Sequence, residues 1–260
     1  MTAGAPSHWV RFLDQGQVRF GTLERDDRVR VCEGNMFAGA VPTERTLPLA
    51  DVQLLAPVVP GKIIALWNNF HALGAKLGLA DPAEPLYLLK ANTSQLAPGG
   101  VIRKPRCDGK VLFEGELAIV IGKTASGVSE ARALEHVLGY TCANDVTLAD
   151  ILHRDRSFPQ WARAKGFDTF CPFGPAIATG IDPATLVVKT ILNGEVRQDY
   201  PISDMRFSVA QLVSLISQDM TLEPGDLILC GTSVGVGSMK PGSTIEVEIA
   251  GVGRLTNSFE

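Results

Sequence analysis

Two glutamates separated by one glycine, Glu114 and Glu116, stand at the start of an apolar run. This run, residues 117–121, has the length and the β-branched content of a buried strand. Because side chains alternate along a strand, the two carboxylates are expected on one face and Gly115 on the other. Like charges this close repel and lose hydration together, so a Lys or Arg, a shared proton or a divalent cation must offset them. Taken alone, such a pair more often marks a solvated strand face.

A third carboxylate, Asp145, lies at the polar end of another predicted strand, residues 140–147. An aspartate there is more often a turn or cap residue, but three carboxylates at the ends of apolar runs are what a hard divalent ion requires. The four histidines lack metal-ligand spacing, and the five cysteines include no Cys-x-x-Cys pair. Any metal site would therefore be oxygen-rich, which favours Mg²⁺, Mn²⁺ or Ca²⁺ over Zn²⁺.

Three further residues could take part in chemistry. Lys165 precedes a Gly-, Pro- and aromatic-rich segment, residues 165–175, which we predict to be a loop. Its charge could face a substrate carboxylate or an enolate, or simply solvent. The glycine-rich loop 231–237 carries Thr232, whose hydroxyl could contact an oxyanion, although such a loop is also typical of a tight turn. His71 follows a predicted buried strand and could act as an acid or base, or be structural.

The elements that must position these residues divide the chain in two. Short alternating strands separated by turn residues indicate a small β domain over residues 1–58. Residues 59–260 contain further short strands and an amphipathic helix over residues 208–218. A second Glu-x-Glu pair, Glu246 and Glu248, lies on a plainly amphipathic strand, and we predict that it faces solvent.

Composition argues against several classes of function. The 260-residue chain has a net charge of -4 and a pI near 5.6, whereas a nucleic-acid or anionic-membrane partner would require a basic face. No apolar stretch approaches a membrane span, and residues 1–6 lack a signal-peptide core. Scattered cysteines indicate reduced, mostly buried thiols. We therefore expect a cytoplasmic protein without nucleic-acid or membrane partners.

Six segments of the chain together resemble the fumarylacetoacetate hydrolase superfamily. These segments are residues 113–117, 144–147, 164–170, 193–198, 221–226 and 231–237. The match extends from residue 62 to residue 257, in order and with compatible spacing. This resemblance implies an α+β protein that is mainly β with some α, built as a mixed β-sandwich roll. The segment before it resembles the small N-terminal β domain of many bacterial members. Family members are usually homodimers, so a homodimer is expected.

The resemblance also implies the site and its chemistry. Mg²⁺ or Mn²⁺ would be bound by two glutamates and an aspartate, which correspond to Glu114, Glu116 and Asp145. The catalytic residues of the family correspond to Lys165, Thr232 and, on a mobile lid, His71. The expected partner is a small-molecule 2-oxo carboxylate. The expected reaction is hydrolysis of a C–C bond in a 2-oxo or 1,3-dioxo carboxylate, such as an acylpyruvate or fumarylpyruvate, through a metal-bound enolate.

The chain departs from the family pattern around the expected substrate. The lid motif His-x-x-Glu is here His71-Ala72-Leu73-Gly74, without the glutamate. The Gly-x-Asn-Tyr approach to the lid is replaced by Ala65-Leu66-Trp67-Asn68. Ser233 replaces a proline, and residues 147–152 lack the usual Arg and Gln. A decarboxylase or isomerase of 2-oxo acids in aromatic-acid catabolism is therefore an alternative, because neither reaction requires an activated water. A catalytically silent metal-binding homologue is the third alternative.

Overall fold

The structure, a computed structural model, describes residues 7–260. Residues 1–6, which were predicted to lack a signal-peptide core, lie outside the described residues. The N-terminal strands are β1 (Ser7–Asp14), β2 (Gln17–Glu24), β3 (Arg28–Glu33), β4 (Val41–Pro48) and β5 (Gln53–Leu54). The next strands are β6 (Ile63–Trp67), β7 (Leu86–Lys90), β8 (Gln95–Leu96), β9 (Val101–Ile102), β10 (Val111–Phe113), β11 (Gly115–Ile121), β12 (Val137–Asn144), β13 (Thr147–Leu148) and β14 (Cys171–Thr179).

The C-terminal strands are β15 (Val187–Leu192), β16 (Glu195–Pro201), β17 (Leu227–Leu229), β18 (Gly237–Ser238), β19 (Thr244–Ile249) and β20 (Gly253–Phe259). The helices are α1 (His71–Leu77), α2 (Glu130–Ala133), α3 (Ala149–Leu152), α4 (Trp161–Lys165) and α5 (Val209–Asp219). The chain is therefore mainly β with some helix, as predicted. Within the described residues, no helix has the length and apolarity needed to cross a membrane.

One large sheet organises the molecule. Ten of its strands follow the order β4-β3-β2-β1-β14-β12-β11-β17-β6-β7, with β5 added beside β1 and β8 beside β14. Most neighbours are antiparallel, but β17 is parallel to β6, so the sheet is mixed. The N-terminal strands join the sheet through β1 and β14, so the two predicted domains share it. The division at residue 58 itself stays a prediction.

A five-stranded sheet, in the order β16-β15-β19-β20-β9, packs on one face of the large sheet. Between them lies an apolar core that includes Leu117, Ile119 and Val188 together with residues of α5. Ala118 and Val120 point to the opposite face and pack in a second apolar cluster. Strand β11 is consequently buried on both faces, as its uninterrupted apolar run predicts.

Helix α5 confirms the predicted amphipathic helix. Ser208 caps it by accepting a hydrogen bond from the Gln211 N–H group, and the Gln211 side chain accepts one from the Ser208 N–H group. Segment 165–175, in contrast, is only partly a loop. Lys165 ends α4, and the segment from Cys171 onward forms β14. A bulge against β12 accommodates Pro175 within this strand, which is why the proline did not interrupt the sheet.

Candidate metal centre and substrate cavity

The segment Glu114-Gly115-Glu116 is held tightly at the start of β11. The Gly115 N–H group donates to Oε1 of Gln198 over 3.0 Å, and the Gly115 carbonyl accepts hydrogen bonds from the hydroxyls of Thr232 and Tyr200. A Cβ atom at position 115 would collide with Oγ1 of Thr190. Only glycine fits here, because β15 lies against the bare face of the strand. The two glutamates project to the opposite face, as the alternation predicts.

Strand pairing brings Asp145 beside these glutamates. Gly115 pairs with Asn144 in the β11–β12 ladder, and the next residue, Asp145, donates its N–H to the Glu114 carbonyl over 2.9 Å. The Asn144 side chain accepts a hydrogen bond from the Glu114 N–H group over 2.9 Å. Carboxylate oxygens of Glu114, Glu116 and Asp145 consequently lie within 4.8 Å of one another. The structure therefore brings together the three carboxylates selected from the sequence.

Two lysines offset part of this negative charge. Nζ of Lys90 lies 2.5 Å from Oδ1 of Asp145, and Nζ of Lys165 lies 2.6 Å from Oδ2 of the same carboxylate. Lys165 also forms an ion pair with Glu114 over 2.9 Å. Although burial raises the pKa of Asp145, the charges of Lys165 and Lys90 outweigh this effect and lower it. When all three carboxylates are ionised, they exceed the two ammonium groups by one negative charge.

Among the described residues, Glu116 is the carboxylate of the cluster that forms no ion pair with a lysine. Its side chain is fully buried, and burial, followed by repulsion from Asp145 and Glu114, raises its pKa well above the usual range. Oε2 accepts a hydrogen bond from the Gly231 N–H group over 2.8 Å, whereas Oε1 is buried without a hydrogen-bond partner among the described residues. A buried, unpaired carboxylate oxygen is costly unless a cation satisfies it.

These observations fit a hard divalent cation. The converging donors are carboxylate oxygens, one of them lacks a partner, and repulsion among the carboxylates raises the pKa of Glu116, which a cation would relieve. Mg²⁺ and Mn²⁺ prefer such oxygen ligands and keep further positions for water or substrate. Glu114, Glu116 and Asp145 can therefore hold the ion, with Lys90 and Lys165 as neighbours.

Lys165 remains charged at this site. Burial lowers the pKa of its ammonium group, but the Asp145 and Glu114 carboxylates reverse the effect and raise it above the ordinary value. Its Nζ atom donates to Glu114, to Asp145 and to Oγ1 of Thr147, the last over 2.6 Å. All three N–H donors are thereby used. Lys165 can supply positive charge, and it is poorly suited to act as a general base.

Thr232 contacts the backbone of Gly115, the residue between the two glutamates. Its hydroxyl donates to the Gly115 carbonyl over 3.0 Å and accepts a hydrogen bond from Nε2 of Gln198 over 2.8 Å. In this arrangement the hydroxyl proton is committed to the backbone. Its predicted contact with a substrate oxyanion stays a prediction, and the observed bonds make it a positioning residue for the Glu-Gly-Glu segment.

His71 begins α1 and is exposed to solvent. Its Nδ1 atom lies 3.2 Å from Nη1 of Arg206, which can only donate, so Nδ1 accepts and a neutral ring carries its proton on Nε2. Arg206 also forms an ion pair with Asp81. A Cβ atom at Gly74 would collide with the Arg206 guanidinium, so the arginine occupies the space beside this glycine. Catalysis by His71 stays a prediction.

A cavity of about 280 Å³ adjoins the carboxylates. Its polar lining includes Glu114, Thr147 and Thr232, whereas its remaining walls are mostly apolar. The large apolar side chains include Trp67, Leu73, Leu77, Leu112, Leu152 and Trp161. His71 is not among the lining residues, although three other residues of α1 are. The cavity is therefore polar at the carboxylates and apolar away from them.

Three residues of this site were missed as functional candidates in the sequence: Lys90, Gln198 and Arg206. Lys90 had a signal, since it is a charge that ends an apolar strand. Gln198 lies in one of the six family segments, but only the fold shows that it holds Gly115. Arg206 had no local signal, because its partner His71 is 135 residues away in the chain.

Two family descriptions match the chain. Residues 62–260 match the family described as "Fumarylacetoacetate (FAA) hydrolase C-terminal", and residues 7–57 match "Rv2993c-like, N-terminal". A 4-hydroxyphenylacetate degradation bifunctional isomerase/decarboxylase from Salmonella dublin is 38% identical over 242 residues, which are 91% of this chain and 56% of that protein.

Solved structures share the whole architecture. The crystal structure of a 2-hydroxyhepta-2,4-diene-1,7-dioate isomerase from Mycobacterium marinum has a TM-score of 0.89 and 41% identity, covering 97% of this chain and 98% of that one. A maleylpyruvate hydrolase from Sphingobium sp. SYK-6, in complex with manganese(II) and pyruvate, has a TM-score of 0.79 and 29% identity, covering 97% and 98%. A divalent metal and a 2-oxo acid are thus bound by a protein of the same fold.

Proposed function

Because this chain belongs to the fumarylacetoacetate hydrolase family, we propose that it is a divalent-metal-dependent enzyme that enolises 2-oxo carboxylates. The reaction that we favour is isomerisation or decarboxylation, with hydrolysis of a C–C bond as the second candidate. The observation that carries this proposal is the carboxylate cluster of Glu114, Glu116 and Asp145 beside the buried charge of Lys165.

The metal centre would supply the electrostatics of the reaction. When bound by the three carboxylates, Mg²⁺ or Mn²⁺ provides Lewis-acid stabilisation of negative charge on a 2-oxo acid. Lys165 adds a fixed positive charge that is already buried and held in place by Asp145 and Thr147. A preorganised charge of this kind stabilises a developing anion without reorganisation during the reaction.

The surroundings of His71 favour a reaction without water activation. A histidine that draws a proton from water benefits from an acidic partner on its second ring nitrogen. In this chain the partner on Nδ1 is the cation Arg206, and Gly74 provides no carboxylate. Isomerisation and decarboxylation require no water nucleophile, which is why we rank them first.

Hydrolysis remains the second candidate for a specific reason. The solved maleylpyruvate hydrolase from Sphingobium shares this fold over nearly the whole chain. A hydrolase therefore occurs among the proteins of this fold. For hydrolysis in this chain, a base other than His71 would have to activate the water.

Hydrogen–deuterium exchange at C3 of a 2-oxo acid would test the proposal directly. The purified protein, loaded with Mn²⁺ or Mg²⁺ in D₂O, should exchange the C3 protons of pyruvate for deuterium. Proton NMR would follow this exchange as a loss of the C3 signal. Parallel assays with oxaloacetate and with an acylpyruvate would separate decarboxylation from hydrolysis. Failure to exchange or to turn over any of these acids, with metal bound, would contradict the proposed function.

A further inference from the structure

The cavity beside the carboxylates has two chemically different ends. At one end lie Glu114, Thr147 and Thr232, and the walls beyond them are formed largely by tryptophan and leucine side chains. Among the described lining residues, Lys76 alone is positively charged, and it lies on the exposed part of α1. A second carboxylate on a substrate would therefore meet apolar walls away from the metal centre.

Two tryptophans belong to this apolar wall and contact each other. The rings of Trp67, at the end of β6, and Trp161, at the start of α4, lie with their centroids 4.8 Å apart at an angle of 48°. Such a tilted pair presents aromatic surface that favours an apolar or aromatic group. The two residues come from distant parts of the chain, so the wall is built by the fold.

Helix α4 links this wall to the charged end of the cavity. Trp161 is its first residue and Lys165 its last, a spacing of four that places both side chains on one helix face. Four residues of helix rise by about 6 Å, roughly the length of a short acyl chain. A ligand whose 2-oxo carboxylate lies near Lys165 would therefore place its distal group beside Trp161.

We propose that this site selects 2-oxo acids with an aromatic or branched apolar group beyond C4 over those that end in a second carboxylate. This inference rests on the proposed function for the position of the 2-oxo acid head. Its physical basis is that an apolar tail gains from leaving water, whereas a carboxylate against Trp161 and Leu152 would lose hydration beside side chains that carry no positive charge.

The test compares two probes of similar length, 2-oxo-4-phenylbutanoate and 2-oxoadipate, with pyruvate as a probe without a tail. Each is followed by C3 hydrogen–deuterium exchange and by calorimetric binding to the Mn²⁺-loaded protein. We expect kcat/KM and affinity to favour the phenyl acid by at least about tenfold, the range seen for apolar pocket discrimination. Leu152→Lys should reduce or reverse this preference by adding a cation to the wall.

The control variant is Leu134→Lys, which adds the same charge at a leucine that is 52% exposed and does not line the cavity. It should leave the preference unchanged. Equal exchange and affinity for the two long probes, with pyruvate exchanged, would overturn this inference and leave the proposed function standing. If no probe is exchanged, binding decides the inference: tighter binding of the phenyl acid supports it, and equal or weaker binding refutes it. The proposed function fails in that case only if oxaloacetate and an acylpyruvate are not turned over either.

Discussion

Lys90 forms a fully buried ion pair with Asp145, with Nζ 2.5 Å from Oδ1, at a site that also holds Lys165 and two glutamates. The pair stabilises the carboxylate in a position where burial alone would favour its neutral form. Lys90 ends β7 at the edge of the large sheet, so the edge strand contributes directly to the metal centre.

Replacement of Lys90 by methionine should therefore destabilise the fold. The substitution leaves Asp145 with one ammonium partner and one buried oxygen without its charge partner, which typically costs about 3–5 kcal/mol. Urea unfolding in the presence of EDTA would measure the loss. The control is Lys189→Met, because Lys189 and Asp199 form an exposed pair at 4.0 Å, and such pairs contribute less than about 1 kcal/mol. Equal effects of the two variants would contradict a structural role of the buried pair.

Glu116→Gln should abolish most metal binding and preserve the fold. The amide oxygen can still accept the hydrogen bond from the Gly231 N–H group, but it no longer supplies a charged ligand. Calorimetry should show an Mn²⁺ affinity lower by more than about 100-fold, beyond the loss typical of a residue that only supports a ligand.

Glu246→Gln provides the matched control for this metal prediction. Glu246 belongs to the second Glu-x-Glu pair, on β19, and contacts Arg254 and Thr256 near the surface. The Glu246→Gln variant should bind Mn²⁺ with the affinity of the unmodified protein. Undiminished Mn²⁺ affinity in Glu116→Gln would remove Glu116 from the site.

Two histidines should adopt opposite tautomers. Nδ1 of His71 accepts from Arg206, which places the proton of a neutral ring on Nε2. Nδ1 of His136 lies 2.9 Å from the Thr124 carbonyl, which can only accept, so its proton is on Nδ1. Nitrogen-15 NMR of the ring nitrogens above neutral pH should resolve both forms. Arg206→Met should change the His71 signals alone, and identical His71 spectra in the two proteins would exclude the Arg206 contact in solution.

Gly115→Ala should destabilise the protein because the new methyl group would collide with Thr190. Overpacking of this kind costs about 1–3 kcal/mol. Thr190→Ala removes the colliding hydroxyl together with its hydrogen bond to Gln198. A double-mutant cycle would measure the free energy of unfolding in urea. We expect the loss in the combined variant to be smaller than the sum of the losses in the two single variants by about 0.5–3 kcal/mol. Strict additivity would mean that the strand does not pack against β15 as described.

Elements with a clear local pattern were predicted well. The apolar run 117–121 forms the last five residues of β11, and the amphipathic segment 208–218 is α5 within one residue at each end. Periodicity predicted both, because burial on two faces or on one helical face leaves a pattern in neighbouring residues. Segment 165–175 was predicted less well, since the pairing of β14 with three other strands overrides its prolines and glycine.

The sequence by itself determined the ligand chemistry: a Glu-x-Glu pair on one strand face, a third carboxylate after another strand, and too few histidines or paired cysteines for a soft site. Only the tertiary structure decided what surrounds them. Lys90 and Asp145 are 55 residues apart, Gly115 and Gln198 are 83 apart, and His71 and Arg206 are 135 apart. Strand alternation is a local property of the backbone, whereas the burial and charge that surround a carboxylate depend on sheet order, which no short segment encodes.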